Sequence, residues 1–155
     1  MTPELAAALR ALAQEELEIG RDRLETIVAA DPADADAWAY LSGVRMAAAD
    51  ADGAAEASER ALALDPAGFA PRMKAGELAL RLGNLVDAER WFVAALRAVD
   101  PGTPPALAAK QALVITRTRR RSSIGHGASL PRLRLGTRLP LARRRGVGIT
   151  TEGAR

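Results

Sequence analysis

Residues 31–66 read DPADADAWAYLSGVRMAAADADGAAEASERALALDP, and the same Asp-Pro pair stands at both ends of this stretch. A third pair, Asp100-Pro101, follows, so that the three pairs are spaced by 34 and 35 residues. Each pair comes after an apolar run. Proline ends a helix because it has no backbone N–H to donate to the helix and because it restricts the conformation of the preceding residue. A period of this length is typical of stacked helix–turn–helix units, in which neighbouring units bury each other's apolar faces.

The helices of these units are predicted from apolar spacing and from turn residues. Apolar residues recur at helical spacing from Trp38 to Met46, after which Asp50-Ala51-Asp52-Gly53 interrupts the pattern. We predict that Asp52 is the N-cap of the next helix and that Gly83 adopts a left-handed C-cap. The same reasoning predicts seven helices in three hairpins and a closing helix, over approximately residues 3–16, 20–32, 35–48, 54–64, 69–82, 86–99 and 104–120.

Several positions resemble the tetratricopeptide repeat family, whose pattern includes Trp-x2-Leu-Gly-x2-Tyr in the first helix and Ala-x3-Phe with a later Pro in the second. The middle unit matches at Trp38, Leu41, Ala54 and Pro66, and departs from the pattern at Ser42, Arg45 and Ser58. The next unit matches at Gly76, Ala88 and Phe92, whereas Arg72 and Ala79 depart; the first unit has only Gly20, Leu24 and Pro32. The resemblance covers roughly residues 1–120 and implies an all-α, right-handed α-solenoid of antiparallel helix hairpins.

Small and aromatic residues predict where the helices pack. Ala54, Gly76 and Ala88 are expected at helix crossings, because small side chains let helices approach closely. Trp38, Leu41 and Phe92 are expected in the core. Trp91 and Phe92 are adjacent on a helix and point in different directions, so one of them is expected to be partly exposed.

The resemblance also implies a concave groove lined by the first helix of each unit, which holds a peptide or a helix of a partner protein. The implied groove residues are Leu5, Leu9 and Leu12, then Ala39, Tyr40, Gly43 and Met46, and then Met73, Lys74, Glu77, Leu80 and Arg81. Family members that clamp a C-terminal carboxylate use several basic and amide side chains. Only one or two basic residues occur in this set, which disfavours that specialised role.

No constellation for catalysis or metal binding emerges from the sequence. The chain contains no cysteine, and its single histidine, His126, lies in an irregular Gly-rich stretch. We therefore expect no enzyme activity, no cofactor and no metal. The sequence has no run of 18 apolar residues, so no membrane-spanning helix is expected. Its N-terminus lacks the basic segment and the continuous apolar core of a signal peptide, so a cytoplasmic protein is expected.

The formal net charge of +3 hides two unlike parts of the chain. Residues 1–109 hold 18 acidic and 10 basic side chains, whereas residues 110–155 hold 12 basic side chains and one acidic side chain. We predict a helical domain over residues 1–121 and a disordered, Arg-rich tail over residues 122–155. Three interpretations of the tail stay open. It is a solvated segment that rests on the acidic body, a segment that binds a polyanion, or a sequence that results from a shifted reading frame in the gene.

The leading hypothesis is a non-catalytic scaffold or adaptor that binds a partner segment in the groove, with a homodimer as a further option. The alternative is a factor that contacts nucleic acid or an anionic membrane surface through the tail. The tail contains no aromatic residue to stack on bases, which argues against sequence-specific RNA recognition. Its candidate contact residues are Arg117, Arg119, Arg120, Arg121, Arg143, Arg144 and Arg145.

Overall fold

The computed structural model describes residues 1–124, which form seven α-helices and no strand. The helices are α1 (Pro3–Ala13), α2 (Leu17–Ala30), α3 (Ala35–Ala47), α4 (Ala51–Leu64), α5 (Phe69–Arg81), α6 (Leu85–Leu96) and α7 (Pro104–Ile124). Consecutive helices pair as hairpins, and each hairpin packs against the next: α3 contacts both α2 and α5, and α7 packs mainly on α6. The predicted all-α stack of antiparallel hairpins is therefore confirmed.

Short polar side chains fix where several helices begin. Thr2, Asp34 and Asp50 each accept a hydrogen bond from the backbone N–H three residues later, at 3.2, 2.9 and 2.9 Å. Such caps satisfy amide groups that have no partner inside the helix. The cap of α4 is thus Asp50, not Asp52 as predicted, and α4 begins at Ala51, three residues earlier than expected.

The turn between the two helices of each hairpin uses the same backbone conformation in all three units. Glu15, Ala49 and Gly83 have φ angles of 63°, 63° and 77°. The prediction of a left-handed residue at Gly83 is confirmed. The recurrence at Glu15 and Ala49 shows that the repeat extends to the turn geometry, even where the residue has a Cβ.

Small residues let the helices approach where the repeat pattern places them. Ala54 and Ala88 are fully buried. A Cβ on Gly76 would lie 2.6 Å from Cε1 of Phe92, so only glycine leaves room for that fully buried ring. The predicted crossings at all three positions are confirmed, as is the core position of Phe92; Trp91 is only half-buried.

The core is a chain of local clusters that joins successive hairpins. Leu5, Leu24, Leu41 and Val44 belong to one cluster, built from α1 to α4. A second cluster joins α5, α6 and α7 through Ala79, Ala88, Phe92 and Leu113. Leu41 lies in the core as predicted, whereas Trp38 is half-buried and packs against the core from its edge.

Trp38 and Arg72 occupy the same position in successive units and make the same contact. The indole Nε1 of Trp38 donates to the carbonyl oxygen of Pro32 at 3.1 Å, and Nε of Arg72 donates to that of Pro66 at 3.0 Å. A second Arg72 nitrogen donates to the Ala94 carbonyl oxygen at 3.1 Å. Arg72 replaces the expected tryptophan, yet it makes the same hydrogen bond between the Asp-Pro turn and the following helix.

The ends of the last two helices differ from the prediction. α6 ends at Leu96 instead of Val99, and α7 continues to Ile124 instead of Arg120. Residues 122–124 of the predicted disordered tail are thus helical. The rest of that tail, including His126 and Arg143-Arg144-Arg145, lies outside the described residues.

Candidate partner-binding groove

The first helices α1, α3 and α5 carry the implied groove residues, but not all of these reach the surface. Leu5 and Ala39 are buried in the core, so their expected place in the groove is corrected. Leu12 packs over Gly20 of α2, where a Cβ on the glycine would lie 2.6 Å from Cγ of the leucine. Leu12 therefore fills the space inside the first hairpin rather than facing a partner.

Met73 and Leu80 are half-buried and pack against the cluster of Ala79, Ala88, Phe92 and Leu113, which α5, α6 and α7 share. Packing within the stack therefore takes up part of both side chains. The remaining predicted residues define what we call the groove face: Leu9, Tyr40, Gly43, Met46, Lys74, Glu77 and Arg81.

The centre of the groove face is a compact contact between α3 and α5. Nζ of Lys74 lies 5.4 Å from the centroid of the Tyr40 ring and 2.8 Å from Oε2 of Glu77. The Lys74 side chain crosses Gly43, where a Cβ would lie 3.6 Å from Cδ of the lysine. Four residues that the repeat register placed on one surface are therefore brought together. The cation is held against an aromatic ring, an arrangement that is favourable in itself.

Carboxylates influence two titratable groups near this centre. Burial raises the pKa of Tyr40, and the carboxylates of Asp36 and Glu77 raise it further. The pKa of Asp36 is also raised, first by burial and then by Asp34 and Asp65. Lys74 is already paired with Glu77, and within residues 1–124 no ion pair involves Asp34, Asp36 or Asp65. The N-terminal ammonium group offsets part of this charge, since it lowers the pKa of Asp36.

The basic residues at the other edge are separate from this centre. Arg81 is exposed at the last position of α5 and makes no ion pair among the described residues. Arg117 and Arg120, two of the candidate polyanion contacts, instead pair with Glu89 of α6 at 2.7 and 2.6 Å. Arg119 and Arg121 are exposed on α7. Sequence reasoning missed Glu89, because its partners lie 28 and 31 residues away on the last helix.

Two negative findings apply to residues 1–124. No three His, Asp or Glu side chains lie close enough together there to hold a metal ion. None of the seven helices has the length and apolar character to cross a membrane.

Comparison with known proteins identifies the fold. No protein-family model and no curated protein matches the chain. Among solved structures, the tetratricopeptide repeat domain of Sgt2 from Aspergillus fumigatus is 20% identical, with a TM-score of 0.65 over 92% of this chain and 95% of that one. The type III secretion chaperone SycD of Yersinia enterocolitica, in complex with a peptide of the translocator YopD, is 16% identical, with a TM-score of 0.59 over 76% and 92%.

A further similar structure is the first tetratricopeptide repeat domain of Spaghetti (RPAP3), bound to the HSP90 peptide SRMEEVD. It is 14% identical, with a TM-score of 0.62 over 76% of this chain and 90% of that one. At these identities the likeness defines the architecture. The chain has the tetratricopeptide repeat fold that the spacing of Trp38, Ala54, Gly76 and Ala88 predicts.

Proposed function

We propose that this chain is a non-catalytic adaptor that holds a segment of a partner protein on the groove face. The observation that carries the proposal is the Tyr40–Lys74–Glu77 contact, which places an aromatic ring, a lysine stem and a carboxylate on neighbouring first helices. Two of the structures with the same fold, those of SycD and Spaghetti, hold peptides of other proteins.

The groove face offers adaptable apolar contacts. Leu9, Tyr40 and Met46 are half-buried, so a bound segment can cover the area that they still expose. Each Å² of apolar surface removed from water contributes about 25 cal/mol. Methionine side chains adjust to different partner shapes, which favours a segment with one or two apolar anchors.

Charge restricts which segments suit the groove face. Asp36 and Glu77 flank Tyr40; burial is the main cause of the raised pKa of Tyr40, and the two carboxylates raise that pKa further. Complementary charge accelerates encounter and rejects partners of like charge. We therefore infer a partner segment that carries basic residues beside its apolar anchors, and we expect acidic segments to bind poorly.

The test is affinity capture from the source cells with the full chain and two matched double variants. Met46→Lys with Glu77→Lys alters the groove face and reverses its charge. Leu64→Lys with Glu59→Lys makes the same kind of change on α4, where both side chains are exposed. We expect the groove variant to lose the captured proteins and the α4 variant to keep them. Equal capture by both folded variants would rule out the groove face as the site.

A further inference from the structure

The last helix presents an apolar stripe that no other described residue covers. Leu107, Val114 and Ile115 are 51%, 63% and 50% exposed. Together with Lys110 and Gln111 they line an open depression of about 440 Å³. The opposite side of α7, with Ala106, Ala109 and Leu113, is buried against the stack. An exposed apolar stripe at the end of a repeat stack is a surface suited to a further helical element.

The first hairpin has an open surface at the other end of the stack. A depression of about 470 Å³ is lined by residues of α1 and α2 alone, namely Pro3, Glu4, Ala7, Asp22, Arg23, Thr26 and Ile27. Asp22 is well exposed, whereas Ile27 is half-buried. This surface is thus partly apolar and bordered by two carboxylates, Glu4 and Asp22, and one arginine, Arg23.

The two ends carry opposite charge. Residues 1–30 contain six carboxylates and three arginines, whereas α7 contains five basic residues and no acidic one. Glu89 pairs with two of those five, Arg117 and Arg120. The other three are Lys110, Arg119 and Arg121, which have no ion pair among the described residues. Two α7 surfaces facing each other would therefore repel, while α7 against the first hairpin of another copy joins opposite charges.

We propose that copies of this chain associate head to tail, with the α7 stripe of one copy docked on the α1–α2 surface of the next. Such a contact uses two different surfaces of the protein. One α7 stripe stays free at one end of the assembly and one α1–α2 surface at the other, so further copies can bind there. The proposal is independent of the groove face, because none of the groove-face residues lines either depression.

The test is sedimentation velocity of the full chain over a concentration series at low and high salt. The wild type is expected to grow beyond a dimer as concentration rises at low salt, and to dissociate at high salt. Val114→Glu blocks the last-helix surface, and Asp22→Arg blocks the first-hairpin surface. Each variant alone should stay monomeric, because every contact in the assembly needs one intact α7 stripe and one intact α1–α2 surface.

Mixing the two variants gives the decisive result. Each contributes the one surface that the other lacks, so an equimolar mixture should form a 1:1 dimer that grows no further. Val86→Glu, on an exposed position of α6, serves as the charge-matched control and should associate like the wild type. The proposal is overturned by a wild type that stays monomeric or stops at a dimer. It is equally overturned by a mixture that stays monomeric, or by loss of association in the Val86→Glu control.

Discussion

Single residues in the hairpin turns carry a conformational cost that the sequence only partly reveals. Gly83 was predictable as a left-handed residue, because glycine adopts positive φ without a steric penalty. Ala49 and Glu15 adopt nearly the same φ, although a Cβ disfavours it by about 1–2 kcal/mol. Nothing local in their residue types indicates this, since the conformation is imposed by the packing of the two helices that the turn joins.

Ala49→Gly should therefore stabilise the protein. The relief of the left-handed strain exceeds the entropy cost of glycine, which gives a net gain of about 0.5–1 kcal/mol in the free energy of unfolding by urea. Ala55→Gly, within α4, should instead destabilise by about 0.5–1 kcal/mol. Equal effects of the two substitutions would contradict the turn geometry.

Ala88→Trp tests the close helix crossing between α5 and α6. Ala88 is fully buried in the cluster that holds Phe92, so the larger side chain should overpack it and cost about 1–3 kcal/mol. Val86→Trp, at a position of the same helix that is 67% exposed, should leave the free energy of unfolding nearly unchanged. An undiminished stability of the Ala88→Trp variant would mean that the register of α6 is different.

At the scale of elements, side-chain contacts attach the last helix to α6, and no local sequence pattern predicts these contacts. The pKa of Glu89 lies below its ordinary value of 4.5, because Arg117 donates a hydrogen bond to it and the charge of Arg120 adds to that effect. These contacts attach the C-terminal half of α7 to α6. Sequence spacing predicted that the helix exists, since Pro104-Pro105 opens an apolar pattern, but not its attachment to a carboxylate of another helix.

Glu89→Gln should loosen α7 in a pH-dependent manner. Because the folded-state pKa is the lower one, the Glu89 contacts stabilise the fold above pH 4.5, and this contribution is lost as pH falls through the folded-state pKa. The arginines are about half-exposed, so the loss at pH 7 should be about 1 kcal/mol, with faster amide exchange in α7. The difference from the wild type should disappear in acid. Asp87→Asn, which disturbs only the 3.8 Å contact to Arg90, is the control and should leave exchange in α7 unchanged.

For the molecule as a whole, the stack between residues 1 and 124 has its own continuous core. Deleting residues 125–155 should therefore leave the thermal midpoint nearly unchanged. Any exposed charge pair lost with that segment would be screened by salt and would contribute at most about 1 kcal/mol. A fall in the midpoint of more than about 4–8 °C, as measured by circular dichroism, would show that this segment contributes to the fold.

The fold was predictable from the sequence because the repeat constrains it at many independent positions, from the Asp-Pro turns to Gly76 and Ala88. The surface was less predictable. A repeat register assigns a residue to a helix, and it correctly brought Tyr40, Gly43, Lys74 and Glu77 together. It could not tell which side of α1 faces α2, so Leu5 and Leu12 were misplaced. Nor could it tell that Met73 and Leu80 pack against the cluster that contains Phe92 and Leu113.

Site-specific photo-cross-linking tests the central claim, that the groove face binds a partner segment. A photoreactive phenylalanine analogue at position 40 replaces one aromatic ring with another beside Lys74, and the same analogue at position 64 probes exposed α4. On irradiation in the source cells, position 40 should give a discrete cross-linked protein that position 64 does not. Cross-links from position 64 alone, or none from position 40, would contradict the account.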